Sequence, residues 1–124
     1  MSAYDENNIF AKILRAEIPC DKVFEDDHVL AFRDINPVAP THILVIPKGA
    51  YVSMDDFSAN ASAEEQAAFI AAIGHVARED GVAQGGYRVL ANIGENGRQE
   101  VPHLHMHVIG GRDVGPMIQR PKTD

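Results

Sequence analysis

The sequence predicts an α+β domain: roughly five antiparallel strands in one sheet, one long helix laid on a face of it, and a short N-terminal helix. Three stretches carry that expectation. His42-Ile43-Leu44-Val45-Ile46 is an apolar run of strand length, as in a central strand covered on both faces. Ser62-Ala63-Glu64-Glu65 is a capping box at the head of a long helical pattern. His103-Leu104-His105-Met106-His107-Val108-Ile109 alternates with period two and ends on Gly110-Gly111, as in a strand with two unlike faces.

The 124 residues fit a single domain, 1–124, with loose ends over about 1–7 and 113–124. No run reaches the apolar length of a membrane span. The acidic, polar start Met1-Ser2-Ala3-Tyr4-Asp5-Glu6 lacks secretory character. Cys20 has no second cysteine with which to close a disulfide, which suits a cytoplasmic protein. A formal charge of −7 argues against broad binding to nucleic acid. It leaves room for a single nucleotide held by neutral donors.

Asn8 is placed to cap a helix from 9 to about 16, with Ile9, Phe10, Ile13 and Leu14 at helical spacing and Pro19 limiting its extension. Residues 22–25 and 28–34 read as strands joined at the Asp26-Asp27 turn, which leaves His28 at the surface. Pro37 and Pro40 stiffen the next loop, and Asp34 stands at its mouth. After the strand at 42–46, Pro47-Lys48-Gly49 ends the run, with Lys48 at the surface. Residues 50–61 read as a connector holding a helical turn near Asp55 to Phe57. The helix opened by Ser62 runs from 63 to about 80, where Gly81 stops it. Its apolar stripe is Phe69, Ile70, Ile73, Val76 and Ala77, and His75 lies off it, exposed. Gly85-Gly86 turns the chain into a strand over 87–92. The polar loop 93–100 then leads into the histidine stretch, where its backbone N–H groups can face an anion.

Three of the six histidines fall within five residues. On a strand, His103, His105 and His107 share one face, and Leu104, Met106 and Val108 the other. A row of imidazoles is poor core material, but each ring offers a donor and an acceptor near neutral pH. Two chemistries fit. Metal binding is one, although adjacent members stand about 6.6 Å apart and the outer pair about 13 Å, so sharing one ion needs a bend. The other is attack by one imidazole on an electrophile such as phosphorus, while its neighbours position it and handle protons.

The stretch fits His-φ-His-φ-His-φ-φ, with φ apolar, and resembles the signature of the histidine triad (HIT) family. Ile9-Phe10-Ala11-Lys12-Ile13, Phe32-Arg33-Asp34-Ile35-Asn36-Pro37, Ala39-Pro40-Thr41-His42-Ile43-Leu44-Val45-Ile46-Pro47-Lys48 and Gly110-Gly111-Arg112 resemble its Hint branch of nucleotide hydrolases and transferases. The resemblance runs from about residue 8 to 118. It implies a HIT-like fold and a homodimer in which two sheets join. It also implies hydrolysis of purine nucleoside phosphoramidates, or related nucleotidyl substrates, through a covalent nucleotidyl-histidine that releases the nucleoside monophosphate. By the same resemblance His105 is the nucleophile, His107 and His42 serve the phosphate oxygens or the leaving group, and His103 supports them. Asp34 and Ile35 flank the nucleoside, the carboxylate accepting from the ribose hydroxyls. Asn92 and Gln99 bind the phosphate. No metal, no other cofactor, no nucleic acid and no membrane is implied.

Two departures stand out. Some relatives carry a cysteine pair for structural zinc near Ile9-Phe10, where this chain has Asn8 and Ala11. Glu100 stands where the better-studied animal members place a hydroxyl residue. Rival expectations are a dinucleoside polyphosphate hydrolase, a metal-dependent hydrolase using the same histidines, and a non-catalytic nucleotide-binding module.

Overall fold

The computed structural model describes residues 4–119. Helix α1 (Ile9–Leu14) starts where Asn8 accepts the Ala11 N–H at 2.8 Å. It ends short of the expected residue 16, which adopts a left-handed φ of 62° at Ala16. Strands β1 (Lys22–Glu25) and β2 (Val29–Arg33) form a hairpin. The Asp26 carboxylate closes its turn by accepting the N–H groups of His28 and Val29, both at 2.8 Å.

Strand β3 (Thr41–Pro47) is buried along all seven residues. Ile43 and Val45 join one core with Phe69, Ile73 and Val76. Leu44 and Ile46 join a second core with Phe10, Leu30 and Phe32. Because both faces are covered, the run shows no polar alternation in sequence. With β4 (Tyr87–Leu90) and β5 (Met106–Gly110), the sheet has the order β1-β2-β3-β5-β4, and every neighbouring pair is antiparallel. The expected five-stranded α+β architecture is the one observed.

Helix α3 (Ala63–Glu79) has both halves of its capping box: Ser62 Oγ accepts the Glu65 N–H, and Glu65 accepts the Ser62 N–H, each at 3.0 Å. Its buried face differs from the expected stripe. Ile70 is 64% exposed and Ala72 is buried. Ile70 sits roughly 100° around the helix from Phe69, past the arc that meets the sheet. The connector before α3 holds the expected helical turn near Asp55 to Phe57 in lengthened form. It contains a two-turn helix, α2 (Met54–Asn60), opened by a second capping box in which Asp56 accepts the Ser53 N–H at 2.7 Å. Asp56 also takes the Val52 N–H at 2.8 Å.

The strand before the histidine loop stops at Leu90, two residues short of Asn92. The final strand starts at Met106, so His103 and His105 precede the ladder. The Leu104 N–H anchors them instead, to the Tyr51 carbonyl at 2.8 Å. The alternation of faces survives: Leu104, Met106 and Val108 belong to the core under α3. Of the ends expected to be loose, residues 1–3 and 120–124 lie outside the described residues. Residues 4–8 make defined contacts, with the Asn8 N–H and Nδ2 both on the Asp5 carbonyl. Beyond β5, Arg88 donates to the carbonyls of Gly115 and Pro116. No described helix is long and apolar enough to cross a membrane.

Candidate active site

The site forms where the ends of β2, β3 and β5 meet on the face away from α3. In the β3–β5 ladder His42 pairs with Ile109, and Leu44 with His107. His42 and His107 are therefore diagonal neighbours on one face, within reach of each other. His42 Nε2 and His107 Nδ1 are 2.9 Å apart. The Asp34 N–H bonds the His42 carbonyl at 2.9 Å, and Asp34 Oδ2 lies 3.4 Å from His42 Nε2. His105 and His107 have ring centroids 5.1 Å apart, and Phe10 of α1 meets His105 edge-on at 5.0 Å.

The hydrogen bonds fix where each ring holds its proton. His103 Nε2 lies 2.8 Å from the Pro47 carbonyl, which only accepts, so Nε2 bears the hydrogen. Its Nδ1 then accepts from the Tyr4 hydroxyl at 2.6 Å. His105 Nδ1 lies 2.8 Å from the His103 carbonyl and donates to it, which leaves a lone pair on Nε2. His42 Nδ1 accepts the Val38 N–H at 3.2 Å. Its Nε2 therefore carries the hydrogen and donates to His107 Nδ1, and the His107 proton is left on Nε2. Two adjacent rings thus present unlike outer nitrogens, a lone pair on His105 and an N–H on His107.

Burial keeps His103, His105 and His107 neutral. It pushes His103 down to about 4. His107 is also pushed to about 4, by burial first and then by the neighbouring His105 and His42. His105 is lowered by burial, against opposing pulls from its bond to the His103 carbonyl and from Asp34 and Glu100.

A cleft of about 630 Å³ opens over His105 and His107. Ile9, Phe10, Ile13 and Ile18 supply apolar wall, and Asp34, Ile35 and Glu100 line it as well. Ile35 is 91% exposed, an apolar side chain standing free at the rim. His103 is fully buried and stands behind His105 rather than in the cleft wall. A second concavity, of about 880 Å³, lies between the β4 edge and the segment after β5 and contains none of the histidines.

Asn92 and Gln99 are not brought to the cleft wall. Asn92 is exposed beyond β4. The Gln99 amide is spent on backbone groups of its own loop and of the connector before α2: Nε2 donates to the carbonyls of Val52 and Val101 at 2.6 and 3.0 Å, and Oε1 accepts the Gly94 N–H at 3.0 Å. His28 faces Glu64 at 3.4 Å, and Lys48 pairs with Glu25 at 2.7 Å. His75, expected to be exposed, packs its ring on Phe24 with centroids 4.8 Å apart. Four contributors escaped sequence reasoning: Phe10 as a wall for His105, the Val38 N–H, the Pro47 carbonyl and Tyr4. Three act through backbone or a distant partner and leave no local pattern. The Phe10 role was within reach of the helical spacing at 9–14.

Asp34, His42 and His107 also bring one possible metal-ligand atom each within 4.8 Å of one another. The donor set fits an ion poorly. With the Val38 N–H on Nδ1, neutral His42 holds its proton on Nε2, where a metal needs a lone pair.

Residues 15–114 match the HIT domain, and the chain belongs to that family. It is 65% identical over 117 residues to an uncharacterized HIT-like protein of Azospirillum brasilense, covering 94% of this chain and 96% of that one. It is 49% identical over 115 residues to the purine nucleoside phosphoramidase of Escherichia coli, covering 91% and 94% of the two chains. Among solved structures it resembles a HIT family hydrolase from Clostridium thermocellum, with a TM-score of 0.84, 39% identity and coverage of 93% and 99%. A histidine triad protein from Clostridium difficile gives a TM-score of 0.81 at 43% identity, with coverage of 94% and 100%. These likenesses support hydrolase chemistry at the level of the family.

Proposed function

We propose that this protein hydrolyses purine nucleoside phosphoramidates, or closely related nucleotidyl substrates, in two steps through a nucleotidyl-His105 intermediate. The observation that carries the reading is the bond from His105 Nδ1–H to the His103 carbonyl. It leaves the Nε2 lone pair of a neutral ring in the cleft, beside a ring whose Nε2 bears a hydrogen. The relative named purine nucleoside phosphoramidase supports the substrate class.

In the first step His105 Nε2 bonds to the α-phosphorus as the bond from phosphorus to the leaving nitrogen breaks. His107 Nε2–H gives its proton to the departing amine, and His42 holds His107 in the tautomer that makes this possible. In the second step water attacks phosphorus and gives its proton to His107 Nε2, the bond to His105 Nε2 breaks, and the monophosphate leaves with His107 restored to its starting form. Asp34 accepts from the ribose hydroxyls, beside the apolar surface of Ile35. The proposal routes no step through Asn92 or Gln99; Gln99 serves by bracing its loop. No step draws on a metal.

The test is release of AMP from adenosine phosphoramidate by wild type and His105→Ala, each with and without chelator. The expected result is chelator-resistant turnover that falls by roughly a thousandfold or more in the variant, with its circular dichroism unchanged. Near-normal activity in His105→Ala would overturn the nucleophile; loss on chelation alone would favour a metal-dependent hydrolase. Asp34→Ala should weaken binding of a nucleotide more than of a ribose-free analogue, and equal losses would remove the ribose role.

A homodimer joined through β4 is part of the same reading. This strand is an outer edge of the sheet, with Tyr87 and Val89 38% and 41% exposed. Sedimentation equilibrium at micromolar concentration should give twice the chain mass; a monomer would overturn it.

A further inference from the structure

Tyr4 lies 99 residues from His103 in sequence, yet its hydroxyl meets His103 Nδ1 at 2.6 Å and its ring meets the imidazole edge-on, centroids 5.6 Å apart. The segment that carries it is tied to α1. Both the N–H and Nδ2 of Asn8 bond the Asp5 carbonyl, and Arg15 bonds the Glu6 carbonyl at 2.9 Å. Burial raises the Tyr4 hydroxyl above its ordinary range, so it is a proton donor at neutral pH. His103 is thereby held at both nitrogens, by Tyr4 on one side and the Pro47 carbonyl on the other. Its own carbonyl is the group that takes the His105 Nδ1–H.

We propose that Tyr4 is a positioning residue for the nucleophile: by clamping the His103 ring it fixes the His103 carbonyl, and through it the tautomer and direction of His105. This inference rests on the covalent-histidine reading above. The chain of contacts is Tyr4 O–H to His103 Nδ1, His103 Nε2–H to Pro47 O, and His105 Nδ1–H to His103 O. Without the hydroxyl, His103 Nδ1 is a buried acceptor with no partner, and the ring relieves that cost by turning or by moving its proton. Either change leaves the carbonyl on which His105 depends held only through its own peptide, by the Leu104 N–H on the Tyr51 carbonyl. The phenol never meets substrate, so its loss slows the chemical step without weakening substrate binding.

The experiment compares wild type with Tyr4→Phe, which keeps the aromatic edge and removes only the hydroxyl. Steady-state kinetics on adenosine phosphoramidate should give kcat lower by about tenfold, the worth of one good buried hydrogen bond, with KM within about twofold. Proton–nitrogen correlation spectra of the histidine rings, recorded without substrate, should show His103 in the Nε2–H form and His105 in the Nδ1–H form in wild type. Both should become mixtures in the variant. Unchanged tautomers overturn the proposal whatever happens to kcat, and so does unchanged kcat in a folded variant whose only defect is a lower Tm. A wild-type protein inactive on phosphoramidates would count against the proposed function, while the spectra would still decide the part played by Tyr4. If Tyr4→Phe does not fold, the wild-type spectrum alone decides, because His103 protonated on Nδ1 excludes a donated bond from Tyr4.

Discussion

Burial holds His103, His105 and His107 neutral, and keeping them neutral ties stability to pH. His103 and His107 are held to about 4 in the folded protein, from an ordinary 6.5. Between those values the unfolded chain binds more protons than the folded one, so stability rises with pH through that window. It is complete above about 6.5 and is lost as pH falls toward about 4. Urea midpoints should be level from about pH 8 to 7 and decline steadily below 6.5; a midpoint that stays flat down to about 4.5 would contradict the buried neutral rings. The same residue scale marks the limit of sequence reading. The His-φ-His-φ-His pattern announces imidazole chemistry, but a tautomer belongs to whatever atom faces each nitrogen. Those atoms are Pro47 O, His103 O and Val38 N, backbone groups that mark no residue type, with the Tyr4 hydroxyl and His42 Nε2 brought in from distant parts of the chain.

Among the elements, α2 has an end that is easy to weaken. Asp56 accepts two backbone N–H groups, from Val52 and Ser53, and is itself buried. Asp56→Ala leaves both donors without a partner and should lower unfolding free energy by about 1–3 kcal/mol in chemical denaturation. A loss below about 0.5 kcal/mol would mean that water replaces the carboxylate there. The loop before the histidines has a comparable weak point. A Cβ on Gly97 would sit 2.4 Å from the Ile93 carbonyl oxygen, so Gly97→Ala must shift the loop that Gln99 braces. The long α3 was legible because its capping box and apolar stripe repeat over many turns. The seven-residue α2 was legible only as a turn near Asp55 to Phe57, since a Ser53-x-x-Asp56 box with so short a stripe does not show its length. The late start of β5 was equally hidden: the period of two continues through His103 and His105, but the ladder partner does not.

At the scale of the molecule, one cluster joins the helix layer to the site end of the sheet. Asp80, the C-cap of α3, takes both Arg33 amino groups, at 2.6 and 3.2 Å, and the Thr41 hydroxyl at 2.5 Å. Arg33 and Thr41 directly adjoin Asp34 and His42 in the chain, so the clamp fastens two strands where they carry site residues. Asp80→Ala should cost about 1–3 kcal/mol of stability, read as a lower denaturant midpoint. A change within error would show that Arg33 and Thr41 are equally well served by water.

Sequence alone determined the sheet, the long helix, the family and the row of histidines, because each is written in local periodicity or contiguous motif. The central strand, with both faces covered, had to be continuously apolar, and the triad had to alternate. Tertiary structure decided what those histidines can do. It set His42 against His107 by a diagonal across β3 and β5, placed Asp34 beside them, and brought Tyr4 across the molecule onto His103. It turned the Gln99 amide onto the Val52 carbonyl and its own loop. Such contacts join atoms far apart in the chain, and their geometry follows from register and packing, which no short stretch of sequence encodes.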